Sequence, residues 1–391
     1  MASYNQIMQD NLDLVFRAGG LGSRRAAAYE MLFGLNYRAR GQVVPAQRDQ
    51  VGLTFFTRPD LNLHRDNVTQ DRTLTDLIST DEITYPRAIR AILDPVGSSD
   101  PNFDYSCKLV NPRNPFMCVL TNTLKSVSGF PDNAIGKYTS NEGIAGEQWG
   151  MADGYYNIRG NYQLTASFAN VDGSPVLRLF DVWERYMENI RTKKMKPWSR
   201  NIYRNRMDYT TRIYRLILDP GRRFVQQIGA TGYAFPITNP RGGVMNFDAD
   251  DNYDRSTDLI SIQFDAYGAI YDDPLLIRQF NKVVAMFNPD LRIINETSLN
   301  KSNIAVKSNN YYRVTPDQRE YLNYYCYPLI HPYTRELCWF IEKPIYDLIM
   351  ANNYAVPNYD YNALPNDTDD TYTGYQSNVW DTLDLTKSGD N

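Results

Sequence analysis

Apolar and polar positions alternate most clearly between Asn161 and Asn170, where Tyr162, Leu164, Ala166 and Phe168 share one face. A period of two is the mark of a half-buried strand. The turn chemistry of Asp172-Gly173-Ser174-Pro175 interrupts it, and the period then changes. Val176, Leu179, Phe180, Trp183 and Met187 recur at three- and four-residue steps, so residues 176–190 read as a helix whose apolar stripe covers a sheet. Two further apolar runs flank Pro220-Gly221 and form a hairpin. Residues 258–272 alternate again, Ile260, Ile262 and Phe264 against Leu259, Ser261 and Gln263, and an amphipathic helix over 272–288 begins near Pro274. The order strand, helix, hairpin, strand predicts antiparallel α+β and not a doubly wound nucleotide-binding sheet.

Outside this block the pattern is weaker. Residues 51–63 mix β-branched and aromatic side chains up to Pro59 and predict a strand ending in a turn. Residues 64–100 are helical in part, around Thr75–Ile78 and the run PRAIRAIL. PFMCVLTNTL, residues 115–124, predicts a second strand, and residues 126–157 are rich in Gly, Asn and Ser. Near the start, SRRAAAYEMLFGL predicts a helix capped by Ser23, with AGGLG before it as a hinge. Residues 311–350 form an aromatic-dense unit that packs on the domain or on a neighbour.

Composition adds one unusual number. With 391 residues, 42% hydrophobic and 22% charged, most of the chain should fold, as one enlarged domain or two. Its 30 tyrosines fit surfaces that are exposed in a free subunit and buried in an assembly, and equally fit an aromatic-rich β-protein. A net charge of −4 points to no nucleic-acid or anionic-membrane partner. No stretch approaches the ~20 apolar residues of a membrane span, and MASYNQIMQDNLDLVF lacks a signal-peptide pattern, so a cytoplasmic site of synthesis is expected. Cys107, Cys118, Cys326 and Cys338 form no CxxC pair and read as four buried thiols.

Each enzymatic motif fails on a residue its mechanism needs. The two histidines, His64 and His331, stand alone, without HExxH or Cys/His ligand spacing. AGGLGSRR lacks the GK[ST] of a phosphate loop. DADDNYDRSTDL begins like a calcium loop at Asp248, Asp250 and Asn252, but has Tyr253 in place of Gly and Leu259 in place of the bidentate Glu. No GxSxG or triad grouping is present; a carboxylate pair brought together by folding stays open. The chain therefore reads as a non-enzyme without metal or cofactor.

One charge cluster stands out. Residues 185–223 hold twelve Lys or Arg against three Glu or Asp, including Lys193, Lys194, Lys196, Arg200 and Arg204, with Trp198, Tyr203 and Tyr209 between them. Such a segment can follow a nucleic-acid backbone and stack bases, or dock on an acidic neighbour. The second is favoured, with these five residues as a subunit interface, because they lie around a helix end and strand starts. The Asp-rich residues 358–391, with seven Asp and one Lys, are a candidate partner.

The stretch from about 109 to 288 resembles the tube-protein domain of contractile-tail bacteriophages, which the tail tube shares with tube-initiating baseplate proteins. The resemblance lies in order and spacing: a strand before Phe130-Pro131, YQLTASF with its Asp-Gly turn, the helix with Phe180 and Trp183, the hairpin ending at Gly232 and Pro236, and the strand LISIQFDAYGAIY. It implies a β-sandwich or small barrel with one flanking helix and a core containing Phe168, Phe180, Trp183 and Phe264. It also implies a hexameric ring around a lumen that conducts DNA without sequence-specific binding, in a virion tail, with tube, baseplate or sheath proteins as neighbours and no membrane. The expected organisation is an N-terminal arm (1–50), a tube-like domain (51–290, insertion at 64–105), an aromatic-rich extension (291–357) and an acidic, flexible tail (358–391). The additions favour a once-per-tail ring. The alternatives are a nucleic-acid-binding virion or packaging protein using residues 185–223, and a hydrolase with an unrecognised carboxylate site.

Overall fold

The computed structural model describes residues 51–100, 105–155, 160–219, 222–245, 259–294, 304–315, 318, 322 and 325–351. The expected N-terminal helix and hinge, the calcium-like loop from Asp248 and the acidic tail lie outside these.

The elements are, in order, β1 (Val51–Phe56), α1 (Tyr85–Leu93), α2 (Cys118–Thr123), β2 (Leu124–Ser128), β3 (Ile135–Thr139), β4 (Gly150–Tyr155), β5 (Asn161–Ala169), α3 (Pro175–Arg191), α4 (Ser199–Tyr203), β6 (Ile213–Leu218), β7 (Val225–Pro236), β8 (Leu259–Tyr271), α5 (Pro274–Phe287), β9 (Tyr311–Arg313), β10 (Tyr327–Ile330), β11 (Leu337–Glu342) and α6 (Lys343–Ala351). Shorter helical turns join several of them. Six strands form one antiparallel sheet in the order β1-β6-β7-β8-β5-β2, and β10-β11-β9 form a second. β3 and β4 pair only with each other. The fold is α+β, mainly antiparallel, with a flanking helix, as the hydrophobic pattern predicts.

Two large apolar cores hold it, with two smaller clusters beside them. In the first, α3 presses Phe180 and Trp183 onto Leu164 and Phe168 of β5 and Ile262 and Phe264 of β8, roofed by Leu61, Leu74 and Ile89. The Phe180 and Trp183 rings stack at 6.1 Å, and Trp183 Nε1 donates to the Tyr209 carbonyl at 2.9 Å. In the second core, Tyr214 and Leu216 of β6 and Ile228 of β7 meet Phe280 and Val284 of α5 and Leu329 of β10. The aromatic-dense unit therefore packs on its own domain.

The strands change core at one place. On β7, Ile228 and Ala230 belong to the second core and Ala234 to the first; on β8, Phe264 and Ala266 belong to the first and Ile270 lies against the second. The register sets Gly232 across from Gly268 at the change-over. Gly268 has a φ of +63°, and a Cβ on Gly232 would lie 2.7 Å from the Tyr267 carbonyl oxygen, so both positions require glycine.

Two expectations need correction. PFMCVLTNTL is not a strand: Cys118–Thr123 is helical and the strand begins at Leu124. The helix puts Met117 and Leu120 into the first core together, and Thr123 Oγ1 donates back to the Val119 carbonyl at 2.6 Å, which suits this β-branched residue to the last helical position. Cys118 is exposed, on the outer side of that helix, and not buried like Cys107, Cys326 and Cys338.

Candidate assembly surface

The β3–β4 hairpin is largely uncovered. Trp149 (59% exposed), Tyr138 (58%), Ile135 (56%) and Met151 (54%) are open to solvent, and the register sets Tyr138 opposite Met151. Its connection is ordered by its own bonds: Ser140 N donates to the Trp149 carbonyl at 2.9 Å, Trp149 N to Ser140 Oγ at 3.0 Å, and Gly143 N to the Glu147 carbonyl at 3.0 Å. A two-stranded ribbon is marginal alone in water, and one bearing large apolar groups is costly to leave bare.

The large sheet offers two more contact lines. Among the described residues its outer strands β1 and β2 have no second partner strand, apart from the single bridge from Thr57 to Phe116. Row upon row, the face of β5 and β8 turned away from α3 carries hydroxyl and amide groups. Gln163 stands opposite the carboxylate of Asp265, Thr165 opposite Gln263 and Ser167 opposite Ser261, the two serine hydroxyls meeting at 2.9 Å.

Sequence reasoning singled out five basic residues, and the structure divides them. Lys193, Lys194 and Lys196 are exposed in the turn after α3 and pair with no carboxylate among the described residues. That turn is fixed from behind: the Asn189 carbonyl accepts from Lys194 N at 2.9 Å and Met195 N at 3.1 Å, and the Lys196 carbonyl accepts from the side chains of Asn62 (3.0 Å) and Asn67 (2.7 Å). Arg200 is half-buried and bonded to Asp60, and Arg204 is partly buried. Most other basic residues of the segment are also engaged: Arg185 on Asp181, Arg191 on Glu188, Arg212 on the Thr231 carbonyl, Arg215 on Thr54 and Arg223 on Glu336. Phe168, Phe180, Trp183 and Phe264 all lie in the first core.

Beneath the basic turn is a network that sequence reasoning missed. Three carboxylates from distant parts of the chain are buried close enough to sense one another. Asp94 accepts from Tyr105 Oη at 2.5 Å, Leu63 N at 2.9 Å, Gly97 N at 2.8 Å and Trp198 Nε1 at 3.3 Å. Asp208 accepts from Tyr186 Oη, which itself accepts from Asn62 N at 3.1 Å. Asp60 holds Arg200 and, at 2.9 Å, Asn201 Nδ2. Burial pushes Asp60 up and takes both Asp94 and Asp208 up to about 6, the charge of Asp60 adding to the rise in each case. Every one of these carboxylates is committed to protein donors, which makes the network a brace for α4 and the basic turn. His331, the buried histidine, is committed too: its Nδ1 accepts from Tyr333 N and Thr334 N at 3.1 Å each.

The brace makes stability depend on pH with a defined sign. Asp94 and Asp208 release their protons near 6 when folded but near 3.8 when unfolded, so the native state binds more protons in between, and their contribution falls as pH rises from about 4 to 6. Asp71 acts in another window. Burial raises it, but hydrogen bonds from Asn189 and Thr73 outweigh that and hold it at about 2, so its contribution is lost only as pH falls below 3.8. Urea midpoints measured from pH 4.5 to 7 should therefore fall with pH, and Asp208→Asn should flatten the slope. An unchanged slope in that variant would remove Asp208 from the account.

The family model described as "Putative phage tail tube protein" matches residues 2–355. No curated protein matches the sequence. Among solved structures, the chain is similar to the tube-terminating cap of the anti-feeding prophage (14% identity over 38% of this chain and 79% of that one, TM-score 0.24). It is also similar to chains from the sheath-tube complex (15%, 40% and 82%, TM-score 0.25) and the sheath/tube terminator (13%, 38% and 85%, TM-score 0.22) of the extracellular contractile injection system PVC, both in the extended state.

Proposed function

The chain belongs to the phage tail tube protein family, a family of structural tail components, and from that premise we propose that six copies close into a ring of the tail tube or of its baseplate or terminal adaptor, around a lumen that conducts DNA. The observation that carries this is a six-stranded sheet whose two outer strands have no further partner strand among the described residues, beside a hairpin whose apolar groups are more than half exposed. Open edges and bare apolar ribbons are liabilities in a lone subunit, and both are removed when copies close a ring. The Ser, Thr and Gln face of β5 and β8, which also carries the carboxylate of Asp265, faces the lumen, because a face without a row of lysines lets a phosphate backbone pass without holding it. Residues 51–290, with the insertion at 64–105, form the tube-like body; the N-terminal arm and the extension at 291–357 grip neighbouring tube, baseplate or sheath proteins. The particle is the virion tail, assembled in the host cytoplasm.

Lys193, Lys194 and Lys196 form part of the subunit contact. Reversing these three to Glu should prevent rings without unfolding the monomer, since among the described residues their side chains make no hydrogen bond or ion pair. Arg200 is left out because reversing it would strand Asp60. Normal rings from the triple variant would refute the contact. The reading as a whole is tested by negative-stain electron microscopy of the purified protein, alone and with tail extract, alongside its mass in solution: six-fold rings or stacked tubes support it, and a persistent monomer in both samples overturns it. The nucleic-acid reading is weakened by how many of the basic residues at 185–223 are engaged within the chain; DNA affinity falling steeply with salt would restore it.

A further inference from the structure

The three exposed lysines do not stand alone at their corner. Lys196 is tied through its carbonyl to Asn62, and Arg200 and Asn201 are tied to Asp60 two residues earlier, so the basic turn and α4 share one anchor. Beside them α4 and the loop after it expose Tyr203 (87%), Ile202 (55%) and Met207 (45%). Lysines after a helix C-terminus are favoured by its dipole, which accounts for some of the charge. It does not account for three large apolar groups left in water next to that charge.

A partner for this corner must be acidic and carry apolar or aromatic groups between its charges. Residues 358–391 of the same sequence fit that description. They contain seven Asp and one Lys, with Tyr359, Tyr361, Tyr372, Tyr375, Trp380 and Leu383 spaced among them. They also lie beyond residues 2–355, the part that matches the tube family, so this pairing is a property of the chain and not of the family fold. Reach is ample, since the 40 residues after Ala351 span up to about 130 Å when extended.

We propose that the acidic C-terminal segment of one copy docks on the Lys193, Lys194, Lys196 and Tyr203 corner of the neighbouring copy. This rests on the ring reading. In a closed ring each copy gives one segment and receives one, so every corner is filled and none is left over. Charge opposition sets which segment meets which corner, and the aromatic groups hold it there.

The experiment uses full-length chains, 15N-labelled and unlabelled, mixed in equal parts and assembled. Rings are confirmed by electron microscopy, and a carbodiimide then joins lysines to touching carboxylates. The expected result is crosslinks from Lys193, Lys194 or Lys196 to Asp residues of 358–391, about half of them between differently labelled chains, as random neighbours require. A chain ending at residue 357 should show these lysines more reactive toward an acylating reagent than the full-length ring does. Rings with crosslinks only within one label would give the corner to the chain's own segment, and rings with no such crosslinks and unchanged lysine reactivity would leave it to another partner; either overturns the proposal while the ring stands. Absence of rings from full-length protein would take down the ring reading and the docking with it.

Discussion

Aspartate at Tyr138, Trp149 and Met151 together is expected to abolish ring formation while the thermal midpoint of the monomer stays where it was. Each of these side chains sits on the β3–β4 hairpin and belongs to neither apolar core, so the cores lose no packing when they change. In an assembled contact the balance is different. Fully covering an apolar side chain is worth roughly 1.5–3 kcal/mol, and carrying a carboxylate into such a contact costs several kcal/mol per ion after relaxation. Three replacements therefore weaken the contact by far more than the roughly 1.4 kcal/mol that makes a tenfold change in association. Sedimentation velocity and electron microscopy read the loss of rings, and a melting curve reads the fold. Rings of normal size from the triple variant would show that the hairpin faces solvent in the particle.

Trp183→Ala should have the largest effect on the subunit itself. The side chain is wholly buried, stacked on Phe180 and bonded to the Tyr209 carbonyl, at the point where α3 meets the sheet. Truncating a buried aromatic residue costs about 3–5 kcal/mol, against total stabilities of about 5–15 kcal/mol for a folded domain. Trp183→Phe keeps most of the area but leaves the Tyr209 carbonyl without its donor, a penalty of about 1–3 kcal/mol. Urea unfolding should thus rank the native protein above Phe and Phe above Ala; equal midpoints for the native protein and Ala would mean that α3 is not what holds β5 and β8.

The elements legible from sequence were those with one buried face. β5 alternates because Leu164, Ala166 and Phe168 enter the first core while Gln163, Thr165 and Ser167 do not, and α3 shows its stripe for the same reason. The β3–β4 hairpin belongs to neither core, so burial imposed no period on it, and residues 126–157 showed only as a stretch rich in Gly, Asn and Ser. Residues 115–124 misled because Cys118, Val119, Thr121 and Thr123 favour strands locally, while Met117 and Leu120 are drawn together into the core as helix neighbours. The brace of Asp60, Asp94 and Asp208 was invisible because its members are brought together only by folding. For the same reason Arg200 looked like part of a free basic surface, although Asp60 holds it inside the subunit.

The facing glycines of β7 and β8 also bear on how a ring would carry load. On either side of Gly232 and Gly268 the long strands are clamped by side chains, toward α3 at one end and toward α5 at the other. Between the clamps the two glycines open a gap in the side-chain cover beside the stacked Tyr233 and Tyr267 rings, and torsion meets less resistance there. A tube that bends or twists would take up the strain at this waist in each copy, before it reached the seams between subunits.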